Sequence, residues 1–207
     1  GGPRMTELLV ALCAVFLVVM GGKAAMSWPT YKGSIYQQLF GSYLEYFWKY
    51  SVNRDLSASG YLNAELGHHR LLYNSYRDAN GREAAQFVTV LTGHGAASLC
   101  VVRGAGAISG GDTGTWHVER EGKRLAFPSP VTYVRRQQKF LSKVLGKMDV
   151  TFAIVFDDAA SLDGVTCSQA AIHKSEAVDF LRGLGGTLTD QQIDDAFEAY
   201  KRQAGIA

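Results

Sequence analysis

LLVALCAVFLVVMGG, Leu8 to Gly22, contains no charged residue in fifteen positions. A bilayer span needs roughly 17–25 residues, and the run continues through Ala24, Ala25 and Met26 with only Lys23 between. A lysine near a helix end snorkels its ammonium to the headgroups. Trp28 then falls at the interface, where tryptophan concentrates. Leu8 to Trp28 is about 31 Å of helix at 1.5 Å per residue. The spacing predicts a membrane anchor over residues 1–29. A cleaved signal peptide wants a basic leader and a small-residue cleavage site. Here Arg4 is offset by Glu7, and Lys23 and Lys32 follow the run. A buried hairpin helix is the other alternative. The positive-inside bias turns the rest of the chain toward the cytoplasm or an organelle matrix. GGPR precedes Met5, as an added leader or as the end left by a removed targeting peptide.

The 207 residues suit one domain with appendages. The apolar fraction of 47% is ordinary for a globular core. A net charge of +2 gives no strong global pull toward nucleic acid or acidic lipid. Cys13, Cys100 and Cys167 form no CxxC pair and no disulfide framework. They read as thiols behaving as small apolar groups.

Beyond the anchor, Ile35, Leu39, Tyr43 and Phe47 recur every four residues from Tyr31 to Tyr50. The period is helical. The excess of aromatics suits a surface wet on one side and apolar on the other. Residues 30–60 therefore read as a juxtamembrane amphipathic helix and a linker. Trp28, Ile35, Leu39, Tyr43, Phe47 and Trp48 are its candidate contacts with a bilayer or partner. Packing on the chain's own domain is the competing expectation.

Residues 61–207 read as a soluble α/β or α+β domain, a mixed sheet flanked by helices. It opens at Leu62 to Tyr73, turning at Asp78, Asn80 and Gly81. Strands follow at Gln86–Leu91 and Ser98–Val102, joined through Gly93 and Gly95 by a longer hairpin loop. Ile108–Asp112 and Thr115–Glu119 are short strands about a glycine-rich bend. Ser129 before Pro130 marks a helix start. Val134, Gln137, Leu141 and Val144 carry that helix to Gly146. Its other face is basic, with Arg135, Arg136, Lys139, Lys143 and Lys147. Val150–Phe156 is a buried strand and Glu176–Leu184 a helix. Thr189–Gln192 is a capping box, and Ile193, Phe197 and Tyr200 are the buried stripe of the last helix.

In its order of parts the middle of the chain resembles the nuclease-related domain of the restriction-endonuclease-like superfamily. The resemblance rests on QFVTVL and SLCVV, GAISG at Gly106–Gly110, Trp116, FPSPV at Phe127–Val131 leading into a helix, and AIVF at Ala153–Phe156. It covers about residues 65–200. It implies an Asp on one strand and a Glu-x-Lys on the next, holding a divalent metal. Here Gln86–Leu91 has no acid, Arg103 takes the Glu position and Ala105 the Lys position. Hard cations need carboxylate oxygens. The resemblance thus implies a relative without catalytic residues, metal ligands or cofactor.

A second resemblance is to mitochondrial accessory proteins of the Tim21 and Coa1 type. It is carried by the single N-terminal membrane helix and by the glycine-bent strands from His94 to Phe127. Other chemistry is thin. His68 and His69 are adjacent, and His94, His117 and His173 have no ligand spacing, so all read as structural. GAGAISGGDTG lacks the GK[ST] of a phosphate loop, and no G-x-S-x-G elbow is present. The basic surface of Arg135, Arg136, Lys139 and Lys143 suits phosphates or anionic lipid, with a solvated face as the plainer expectation. The reading is a non-enzymatic accessory or structural subunit of a membrane complex. Its partners are other subunits and lipid, with nucleic acid disfavoured. The expected home is the mitochondrial inner membrane, in a complex of respiratory-chain type, with the bacterial cytoplasmic membrane second. The alternative is a membrane-anchored nucleic-acid-binding or nuclease-related protein.

Overall fold

The computed structural model describes residues 2–204 and divides into two units, up to Leu56 and from Ser57. In the first, α1 spans Gly2–Tyr31, one helix of 30 residues. Leu8, Leu9, Val10, Leu12, Val15, Phe16, Leu17, Val18 and Val19 are each between 50% and 75% exposed. The helix is apolar around its circumference, unlike a surface helix with one apolar stripe.

The single helix expected over Tyr31–Tyr50 is broken. Helix α2 spans Tyr36–Phe40, α3 spans Tyr43–Phe47, and a π-helical segment runs Trp48–Asn53. The break is local. Gly41 turns at φ 66° and Ser42 starts α3, its hydroxyl accepting the Glu45 N–H at 3.3 Å. Positive φ costs glycine nothing, and serine is a preferred N-cap. An aromatic cluster centres on Tyr46, whose ring lies 5.2 Å from Tyr31 and Tyr36 and 5.4 Å from Tyr50.

The second unit opens with helix α4, Gly60–Leu66, capped by Ser59. Gly67 ends it at φ 78°, so the expected opening element splits into this helix and a strand. Strands β1 (His69–Arg77), β2 (Glu83–Thr92) and β3 (Gly95–Val102) form an antiparallel meander. Thr92 pairs with Gly95, so only Gly93 and His94 form the loop, tighter than the sequence suggests. Strand β7 (Val150–Phe156) lies parallel to β3, and β9 (Ala170–His173) parallel to β7. A second sheet holds β4 (Gly106–Gly111), β5 (Trp116–Arg120), β6 (Lys123–Phe127) and β8 (Ala160–Thr166), in the order β6-β5-β4-β8. Helix α5 spans Pro130–Val144, α6 Ala177–Arg182 after a 3-10 turn at Lys174–Glu176, and α7 Asp190–Ala204. The architecture is mixed α/β.

Two side-chain clusters hold this unit. Trp116 stacks on Phe156, ring centres 6.1 Å apart, and Ile108, Phe87, Cys100 and Val134 pack around them, which joins the two sheets. Leu72, Leu91, Leu141, Ile193 and Tyr200 join the first sheet to α5 and α7. The capping box of α7 is formed, Gln192 and Thr189 exchanging hydrogen bonds of 2.9 and 3.2 Å. Ser129 differs from expectation. Its hydroxyl is buried without a partner among the described residues, and α5 starts on the fixed φ of Pro130.

Gln137 is fully buried on α5. Its Oε1 accepts from Asn74 Nδ2 at 2.7 Å and Tyr76 Oη at 3.0 Å. Its Nε2 donates to Asn74 Oδ1 at 2.9 Å and reaches the Thr89 and Ser98 hydroxyls at 3.4 and 3.3 Å. Gln137→Ala removes the shared partner of the half-buried Asn74 and Tyr76, and a polar group left without its bond costs about 1–3 kcal/mol. Chemical denaturation of the full chain in detergent should show about 3 kcal/mol lost. A drop within the noise of the measurement would mean that the helix is held without this amide. A Cβ on Gly110 would collide with the Trp116 ring. Gly110→Ala should therefore lower the melting temperature, as overpacking costs about 1–3 kcal/mol.

Candidate functional site

The most promising site lies at the carboxyl ends of β3 and β7, the usual position of ligands in sheets with parallel strands. β3 ends at Val102, and Arg103, Gly104 and Ala105 carry the chain to β4. Gly104 turns at φ 135° and donates its N–H to Asp157 Oδ2 at 2.6 Å. Asp157 follows β7 directly, and its other oxygen meets the buried Lys174 Nζ at 2.6 Å. The connector is thereby pinned, and Arg103 stands exposed beside it.

A cleft of about 650 Å³ opens there between the two sheets. Gln86, Val102 and Arg103 line one side, and Ile108, Val118, Leu125 and Phe127 the other. Arg103 Nη2 reaches Gln86 Oε1 at a long 3.5 Å. Of the other lining arginines, Arg82 pairs with Asp78 at 3.4 Å and Arg120 with Glu121 at 3.8 Å. Arg103 has no carboxylate partner among the described residues. A guanidinium over an apolar floor suits a carboxylate or phosphate group attached to an apolar body. Backbone N–H groups of Arg82 and Asn80 hold the Asp78 carboxyl below its ordinary range. Arg103 and Ala105, the positions where the nuclease-related resemblance expects Glu and Lys, both line this cleft.

Several carboxylates and histidines elsewhere hold hydrogen bonds and ion pairs within the fold. Asp158 accepts from the Ser175 N–H and hydroxyl at 2.9 Å, which lowers its pKa. Asp112 does the same for Ser168 at 2.8 Å. His68 and Arg70 both reach Asp194 Oδ1, at 3.1 and 2.8 Å. The buried His69 accepts the Ser59 N–H on Nε2 and donates from Nδ1 to the Gly67 carbonyl. His117 contacts Arg124 at 3.4 Å, and His173 spans Glu176 and the Ala160 carbonyl. Among the described residues no group of three His, Cys, Asp or Glu is arranged to hold a metal ion.

The residues singled out from sequence divide by burial. Ile35, Leu39 and Phe47 are buried within the chain, and Tyr43 is half-buried. Trp28 and Trp48 keep exposed faces of 44% and 52%. Arg135, Arg136, Lys139 and Lys143 are exposed on α5. Arg135 donates to the Asp112 carbonyl at 3.3 Å, and Arg136 lies over the Tyr133 ring at 5.6 Å. None of the four forms an ion pair among the described residues.

Sequence reasoning passed over the tie between Gly104, Asp157 and Lys174. The run of small residues around Gly104 carries no side-chain signal for it. Cys100 touches the cleft, and burial pushes its thiol up to about 12. It is a poor nucleophile, since only the thiolate reacts. Iodoacetamide with peptide mass spectrometry should leave Cys100 unlabelled in the folded chain at pH 8 and label it fully in urea. Rapid native labelling would show that the cleft floor opens. No family model, curated protein or solved structure matches the chain.

Proposed function

We propose that the chain is a non-catalytic accessory subunit of a membrane protein complex, held in the bilayer by α1. The observation that carries this reading is the all-round exposure of α1. Arg4–Tyr31 is long and apolar enough to cross a membrane, and its most apolar window is wholly uncovered by the rest of the chain. A contiguous apolar surface of that extent needs lipid or another protein around it.

The non-catalytic part rests on residue chemistry. At the lip of the 650 Å³ cleft, Arg103 stands where the nuclease-related resemblance expects a metal-ligating carboxylate. A guanidinium repels a divalent cation, and Ala105 has no ammonium to activate water. The paired strands β2 and β3, the helix α5 and the strand β7 parallel to β3 support the restriction-endonuclease-like reading of the domain. The Tim21 and Coa1 resemblance would put the complex in the mitochondrial inner membrane.

A second reading, membrane-anchored nucleic-acid binding, is favoured by the exposed stripe of Arg135, Lys139 and Lys143, without ion pairs among the described residues and spaced four apart on a helix with no acid. The two separate on purified material. In alkaline carbonate extraction the chain should stay with the membrane pellet. In mild detergent it should sediment in a larger, stable species. Release into the supernatant, or migration as a lone subunit, overturns the accessory reading. So does metal-dependent cleavage of DNA or RNA, or salt-sensitive binding lost in R135A/R136A/K139A.

A further inference from the structure

The charge-free run of α1 ends at Lys23. Lys23, Met26, Ser27 and Thr30 follow at i, i+3, i+4 and i+7, which is one helix face. Tyr50, Ser51, Arg54 and Leu56 face them across a cleft of about 610 Å³, formed wholly within the first unit. The cleft is a built feature. Tyr43 Oη donates to the Ala24 carbonyl at 2.6 Å and shares a 2.9 Å hydrogen bond with Ser27, tying α3 to this part of α1. Arg54 ends the π-helical segment in the left-handed region, φ 52°, its N–H bonded to the Lys49 carbonyl. That conformation is uncommon for a residue with a side chain.

Lys23 and Arg54 are the charged residues lining the cleft, and no carboxylate lines it. Neither forms an ion pair among the described residues. Ser27, Thr30, Ser51 and Tyr50 add hydroxyls. Toward the N-terminus the same face continues as Val19, Phe16 and Leu12, which are 50%, 60% and 59% exposed. One side of the site is thus cationic and hydroxylated, and the adjoining stripe is apolar. The fitting ligand has an anionic phosphate head and an acyl tail. The site also falls in the last turns of the span before Trp28, from where the Lys23 ammonium can snorkel to the headgroups.

We propose that this cleft binds the phosphate of an anionic phospholipid, with Lys23 and Arg54 on the headgroup and an acyl chain along Val19, Phe16 and Leu12. The proposal rests on the membrane reading of α1 and names the lipid that reading brings. Native mass spectrometry of the full chain in mild detergent tests it, with phosphatidylglycerol against phosphatidylcholine of matched chains. Wild type should retain the anionic lipid in about tenfold preference. K23Q/R54Q should fall to the phosphatidylcholine level, and K23R/R54K should keep the preference. K32Q, outside the cleft, should behave as wild type. Excess inorganic phosphate should leave the retained lipid in place. Equal retention of both lipids, a preference unchanged in K23Q/R54Q, or loss of lipid to inorganic phosphate alone overturns the proposal. Carbonate extraction of vesicles holding the same chain separates the two failures. Pelleting without lipid preference sinks this proposal alone, and release from vesicles sinks the membrane reading beneath it.

Discussion

The carboxamide of Gln137 lies at the meeting point of α5 with β1, β2 and β3. A buried amide has a full set of donors and acceptors to satisfy and few geometries that satisfy them. With Asn74, Tyr76, Thr89 and Ser98 as partners, those geometries reduce to one placement of the helix on the sheet. An apolar contact would tolerate a slip along the helix, whereas this one does not. Because α5 leads into β7, the same placement sets β7 beside β3. The Asp157 and Gly104 contact then becomes available, and with it the position of Arg103.

The two clefts share a chemical character and differ in setting. Each has cationic groups without a carboxylate partner among the described residues, beside an apolar surface. Arg103 stands at the mouth of a space floored by Val102, Ile108 and Phe127. Lys23 and Arg54 stand where an apolar helix face ends. Unpaired cations at the edge of apolar surface recognise anions carried on apolar bodies, and such groups abound in and around membranes. Elsewhere Glu176, Asp158 and Asp112 accept backbone N–H groups, and His68 reaches Asp194.

Much of the fold was legible where side-chain pattern and backbone preference agree. Gln86–Leu91 and Val150–Phe156 are mostly apolar, and most of their residues are buried in strands. Thr189 and Gln192 announced the start of α7, and Gly146 the end of α5. Strands β6, β8 and β9 were missed because their residues are mostly exposed or half-buried. Lys123, Arg124 and Asp163 leave no alternation to read. The helix read over Tyr31–Tyr50 was too long, since a regular apolar period hid the positive φ of Gly41. Two expectations stood for its apolar positions, outward contact and packing within the chain; Ile35, Leu39 and Phe47 are buried, while Trp28 and Trp48 keep exposed faces.

From sequence alone come the apolar length of Leu8 to Gly22, the mixed α/β character of the rest, and the absence of any carboxylate between Glu83 and Asp112. These are local or compositional properties, and a chain carries them whatever its neighbours do. Tertiary structure decided which cations stay unpaired and which polar groups are buried together. Lys23 and Arg54 are 31 positions apart in sequence, and no periodicity brings them to one cleft. Asn74 and Gln137 are separated by 63. A hydrogen bond or an anion site is set by distances of about 3 Å, and over such separations only the folded chain determines those distances.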